Sequence, residues 1–213
     1  MVKSLNHPGG ISRNALFDPT TLSLLFSNLL TIYLAVSQDW SLITIMWVYW
    51  AQSVIIGFFN FIRILTLKDF STEGFRMNDR PVEATKKTKI STAIFFAFHY
   101  GFFHFVYAIF LVSFSFSGLF ESSGQSANGF GDIAYVLLTS AVFFVNHLHS
   151  FLYNRGRDAG KQNIGRVMFF PYARIIPMHL TIIFGMLLGK GAIVLFLTLK
   201  TIADMIMHVL EHN

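Results

Sequence analysis

Ionisable and amide side chains recur inside the long apolar runs of this 213-residue chain. His99 and His104 stand in one run. Asn146, His147 and His149 stand in a second, and Arg174 and His179 in a third. Lys200, Asp204 and His208 stand in the last, with Glu211 and His212 just beyond, while Asn28, Gln52 and Asn60 add uncharged polar groups. In hydrocarbon such groups are costly, so they turn toward a bundle interior where they pair, relay protons or hold a ligand. Lys200, Asp204 and His208 recur at every fourth residue and His212 continues the row, so on a helix they share one face.

Three chemistries fit this set. Imidazole and carboxylate ligands suit zinc, and also iron or manganese, and three His and one Asp from different helices can close a tetrahedral shell. His and Asp chains can also pass protons part of the way across a bilayer. Buried polar side chains can, finally, do no more than hydrogen-bond between helices, which is the commoner state of any one intramembrane histidine. For the cluster as a whole the leading expectation is a metal held by His99, His179, Asp204 and His208, with His147 and His149 in reserve. Three ligands plus water would make such a centre catalytic. Arg174 and Lys200 would then hold an anionic headgroup or stabilise developing negative charge. No His-Glu-x-x-His is present; Asp204-x-x-x-His208, which His212 extends by one more turn, supplies the ligand spacing on a single face.

The elements that must position these residues are helices. The chain is 54% hydrophobic and 13% charged, with 25 Phe, against about 25% charged residues in a soluble domain. One small soluble core cannot hide that much apolar side chain, so the lipid bilayer is the expected solvent. Apolar segments fall at residues 20–36, 41–65, 90–117, 132–152, 169–188 and 192–210, each of the order of 17–25 residues needed to cross the hydrocarbon. Asp18-Pro19 opens the first, since Asp caps free N–H groups and Pro fits a first helical turn. Gly189-Lys190-Gly191 forms a tight hairpin between the last two, and Pro171 and Pro177 start and bend the fifth. The expected architecture is therefore all-α: an N-terminal segment 1–19, then one six-helix transmembrane domain over 20–213.

Basic residues set the orientation. Lys68, Arg76, Arg80, Lys86, Lys87 and Lys89 lie between segments two and three, and Arg155, Arg157, Lys161 and Arg166 between four and five. The positive-inside rule then puts both termini and the basic loops in the cytoplasm, and the expected location is the cell (inner) membrane. A net charge of +5 is explained by anionic lipid rather than nucleic acid. The mixed-charge loop 68–89 reads as a solvated connector. At about 1.5 Å per residue, His99 and His179 lie roughly 14 Å in from the inner ends of their helices and Asp204 roughly 9 Å, which puts the set in the cytoplasmic half. The absence of cysteine excludes disulfides, thiolate ligands and Cys nucleophiles, and no Walker or Rossmann loop is present.

Several stretches resemble a family of uncharacterised prokaryotic multi-pass membrane proteins, known only as a domain of unknown function. They are Tyr49-Trp50 with Ile56-Gly57-Phe58-Phe59-Asn60; His99-Tyr100-Gly101 with His104; Phe170-Pro171-Tyr172-Ala173-Arg174 leading to His179; and Lys200-Thr201 leading to Asp204, His208 and Glu211-His212. The resemblance implies that His99, Arg174, His179, Lys200, Asp204 and His208 form a connected set, and implies no activity. An acidic residue often stands in that pattern where this chain has Gln52. A looser likeness links the idea of an intramembrane His/Asp site to membrane hydrolases of the alkaline ceramidase and adiponectin-receptor type, by analogy alone. The resulting expectation is a metal-dependent hydrolase acting on an ester or amide of a lipid-like substrate. The alternatives are a metal-ion or proton transporter or channel, and a structural protein with a hydrogen-bonded polar core. A homodimer is compatible with the glycine-lined helix faces.

Overall fold

The computed structural model describes residues 41–77, 79–117, 129–154, 162–188 and 191–212, together with helical residues 29, 32–33 and 36–37. The first expected span and the loops at 118–128 and 155–161 lie largely or wholly outside them. The described chain is mostly helical: α1 is Leu42–Thr66, α2 Lys86–Ser117, α3 Gly129–Asn154, α4 Ile164–Phe169, α5 Ile175–Leu188 and α6 Ala192–His212. A 3-10 segment, Phe170–Arg174, joins α4 to α5. Three stretches among the described residues, Leu42–Thr66, Lys86–Phe116 and Ile164–Gly185, are long and apolar enough to cross a membrane, and Ile133–His149 is a shorter apolar helix. This marks the chain as a membrane protein.

Burial along α2 shows how the apolar pattern is used. Ala93, Phe96, Tyr100, His104, Tyr107, Leu111 and Phe114 are buried at three- and four-residue spacing, one stripe of a 3.6-residue helix. Ile94, Phe98, Phe102, Phe105, Ile109 and Phe116 point outward, where lipid is as good a solvent for them as protein. Because lipid gives no hydrophobic drive between helices, close packing and polar pairs must hold them together. The α1–α2 seam has both. Trp47 Nε1 donates to Ser115 Oγ at 3.1 Å, and Trp50 Nε1 to the His104 carbonyl at 2.8 Å. The Tyr100 hydroxyl donates to the Ser53 carbonyl at 3.1 Å and lies 2.7 Å from Ser53 Oγ. Gly57 lets the Tyr100 ring lie flat on α1, since a Cβ there would fall 2.8 Å from Tyr100 Cδ1.

The connector between α1 and α2 is more structured than a solvated loop. Arg76–Met77 pairs antiparallel with Arg80–Pro81, and Phe70–Ser71 pairs in parallel with Gln162–Asn163 from beyond α3. Asn163 accepts from the Arg166 N–H at 3.1 Å, capping α4, and donates to the Glu73 carbonyl at 2.8 Å. Lys89 Nζ donates to the Leu67 carbonyl at 2.8 Å. These bonds tie both basic connectors into one cap over the same ends of the helices.

The expected fifth segment starts at Ile164, a turn and more before the expected Phe169, and it is not one straight α-helix. Two prolines account for this. Pro171 has no N–H to give the Val167 carbonyl, and that carbonyl instead accepts from Asn60 Nδ2 on α1 at 3.1 Å. Pro177 likewise withdraws the donor for the carbonyl of residue 173, where the backbone is 3-10.

Replacing Gly57 with Ala should lower the thermal midpoint of the detergent-purified protein, by the equivalent of about 1–3 kcal/mol, because the Tyr100 ring is pinned by Ser53 and cannot swing clear cheaply. An unchanged midpoint would show that the ring gives way and that the α1–α2 seam does not depend on this contact.

Candidate functional site

The polar residues of the spans separate into two kinds of structure. The first is a charged cluster between α1, the 3-10 segment and α6. Arg174, the last residue of the 3-10 segment, is buried, and its guanidinium carbon sits 4.4 Å from the centre of the Tyr49 ring. A cation over an aromatic face is attracted by the ring quadrupole, more strongly once water is removed. Arg174 NH1 lies 3.6 Å from Asp204 Oδ1, while Asp204 Oδ2 accepts from Lys200 Nζ at 2.6 Å. The Lys200–Asp204 pair is the one-turn spacing expected from the sequence, now seen to extend to Arg174 on another helix. Tyr49 is held from its other side by Phe196, edge to face at 5.3 Å.

Two donors in this cluster lack a hydrogen-bond partner among the described residues: Arg174 Nε and the Tyr49 hydroxyl. Both are buried, and unmet donors in an apolar interior are uncommon in folded proteins. The Asp204 and Lys200 side chains are 16% and 24% exposed, so the cluster reaches the bundle surface on the α6 side. Tyr49 lies in the half of α1 away from the connector cap, so the cluster stands near the middle of the bundle and not close to its capped end.

The second kind of structure is a series of histidine–tyrosine pairs. His99 Nδ1 lies 2.9 Å from the Tyr172 hydroxyl, with the ring stacked on Phe95. His179 Nδ1 lies 3.2 Å from the Tyr107 hydroxyl. Each pair joins α2 to the Ile164–Leu188 stretch, and the two sit about 12 Å apart along α2, which separates His99 from Tyr107 by two turns. Both histidines are exposed at the outer edge of this seam. His104 is buried, its Nδ1 2.9 Å from the Tyr100 carbonyl in the preceding turn. His147 packs on Phe59 and Phe143 from α3, and His149 is exposed.

Of the residues expected to act together, the structure joins Arg174, Lys200 and Asp204. It places His99 and His179 at separate levels, each bonded to a tyrosine. His208 continues α6 beyond Asp204, and its side chain lies outside the described residues. Among the described residues no group of three or more His, Asp or Glu side chains is placed to hold a metal ion. The tyrosines are what sequence reasoning passed over. Tyr49, Tyr100 and Tyr172 enter there only as parts of the family resemblance and Tyr107 not at all, although buried Tyr hydroxyls usually find a hydrogen-bond partner.

The chain belongs to the family of unknown function DUF6498, whose model matches residues 11–213. No curated protein matches it, and no solved structure does.

Asp204→Asn should cost about 3 kcal/mol of stability, because it leaves the buried Arg174 guanidinium without its counter-charge. Adding Arg174→Gln should recover part of the loss, so that the double variant melts above Asp204→Asn alone. Strictly additive losses in thermal melts would show that the 3.6 Å approach carries no coupling.

Proposed function

We propose that this chain is a multi-pass protein of the cell (inner) membrane, with six transmembrane helices and both termini cytoplasmic, that binds an anionic group at Arg174 inside its bundle. Arg174 is the observation that carries this. It is a buried cation whose carboxylate partner is already engaged by Lys200 at 2.6 Å, and its Nε points at no acceptor among the described residues. A planar guanidinium with spare donors suits a carboxylate or phosphate group, and the adjacent Tyr49 hydroxyl would supply one further hydrogen bond. Asp204 keeps the resting site near neutrality and Lys200 offers the entering anion a second cation at the more exposed end.

The six-helix topology is supported by the asymmetric basic connectors and by the apolar helices at 133–149 and 192–212 beside the three long spans. The histidine–tyrosine pairs serve in this scheme as bonds that hold α2 against the fifth span. A metal centre built on Asp204 and His208 is the competing function. It draws support from their shared helix face, and would make the protein a zinc-, iron- or manganese-dependent hydrolase of a lipid-like substrate.

One set of measurements separates the two. Untagged protein in detergent is melted with inorganic phosphate or butyrate at ionic strength matched with chloride, and its metal content is measured by elemental analysis. Phosphate or butyrate should raise the midpoint of the native protein by several degrees. Arg174→Gln should abolish the shift. Tyr49→Phe should weaken binding about fivefold, the loss of one neutral hydrogen bond, without lowering the unliganded midpoint. If neither anion moves the native midpoint, or both move Arg174→Gln equally, anion binding at this site is wrong. About one metal ion per chain, lost in Asp204→Ala, would establish the metal centre instead.

A further inference from the structure

A second site lies at the membrane edge, on the first turns of α2. Lys86, Lys87, Ile90, Ser91, Ile94 and Phe95 line an open groove of about 640 Å³. They form two rows running down one face of the helix, Lys86–Ile90–Ile94 and Lys87–Ser91–Phe95, each stepping by four residues. Both rows grade in the same direction, from ammonium groups through an aliphatic side chain and a hydroxyl to wholly apolar side chains. The lysines are exposed, and so are Ile90, Ile94 and Phe95, the last two at 59% and 50%. Lys89 is different: it leaves this face to bond the Leu67 carbonyl. Among the described residues neither Lys86 nor Lys87 has an ion-pair partner.

We propose that this groove binds one anionic phospholipid, its phosphate between Lys86 and Lys87 and its first acyl carbons along Ile94 and Phe95. The spacing matches that of a bilayer leaflet. One helical step of four residues is about 6 Å, the thickness of one headgroup layer when about 30 Å of hydrocarbon sits inside about 40–45 Å of bilayer. The lysines therefore fall in the headgroup layer when Ile90 and Ser91 stand at the hydrocarbon boundary and Ile94 and Phe95 lie about 6 Å within the hydrocarbon. The α2 span, Lys86–Phe116, is about 46 Å long and exceeds the hydrocarbon by about 16 Å, which leaves length for its first turns to stand in the headgroup layer. Two cations that form no ion pair among the described residues select an anionic headgroup over a zwitterionic one. This site is separate from the Arg174 cluster and does not depend on it.

The test is lipid binding by the full chain after delipidation in detergent, read by native mass spectrometry with phosphatidylglycerol, phosphatidylcholine and glycerol 3-phosphate. The native protein should retain one phosphatidylglycerol in preference to phosphatidylcholine. Lys86→Gln/Lys87→Gln should weaken that binding about thirtyfold, two juxtamembrane charges' worth. Lys68→Gln, an exposed lysine of the same connector, should leave it unchanged. Equal binding of phosphatidylglycerol and phosphatidylcholine would overturn the proposal, as would an equal loss in Lys68→Gln, which would mean diffuse attraction by the connector. Glycerol 3-phosphate binding as tightly as the lipid would also overturn it, since the apolar half of the groove would then contribute nothing.

Discussion

A guanidinium inside an apolar bundle has to be compensated on each side it presents, and much of the interior of this protein is arranged around that requirement at Arg174. Below it the Tyr49 ring offers its electron-rich face at 4.4 Å. Beside it stands Asp204, on a different helix. Tyr49 is fixed by Phe196, which comes from the same helix as Asp204. The cation therefore ties α1 and α6 to the 3-10 segment from which it projects. A lysine could not do this equally well, since a point ammonium lacks the planar fork that faces a ring and a carboxylate at once.

The position of Arg174 is in turn a consequence of backbone chemistry. Two prolines six residues apart in sequence remove donors from one span, and a regular α-helix through that stretch would bury two unmet carbonyls. The chain resolves this by tightening to a 3-10 turn and by recruiting Asn60 from α1 to the Val167 carbonyl. Asn60 thus acts as a register pin: it sets how far the fifth span is inserted beside α1. Gly57, one turn away on α1, sets how closely α2 approaches the same helix. Both constraints act on α1, the helix that also carries Tyr49.

Much of this was legible in the sequence, and the residues show where legibility ends. Long apolar runs with few charges form long helices whatever their partners, so α1, α2, α3 and α6 fall close to the expected segments, and α1 and α2 are long and apolar enough to cross a membrane. The row Lys200–Asp204 is intrahelical and follows from spacing alone. The connection from Asp204 to Arg174 is interhelical and depends on how two prolines reshape a neighbouring span, which periodicity does not report. The structured connector was missed for a similar reason. Its strands are two residues long, too short for any alternating pattern, and the parallel pair joins segments about ninety residues apart.

The histidines show why equal depth is a poor guide to contact. Counting about 1.5 Å per residue from assumed ends puts His99 and His179 at one level. That ruler treats both spans as straight α-helices with known starts, yet the fifth begins at Ile164 and passes through a 3-10 turn that rises about 2.0 Å per residue. His179 consequently meets α2 at Tyr107, two turns beyond His99, and His99 meets the fifth span at Tyr172. A tyrosine hydroxyl gives one imidazole nitrogen a partner without adding a formal charge, at an edge of the bundle where both histidines are exposed. Histidine–tyrosine bonds at that edge, and an ion-pair cluster gathered around the buried Arg174, are the division expected of a bundle in which a buried ionised group must be met by its own compensation.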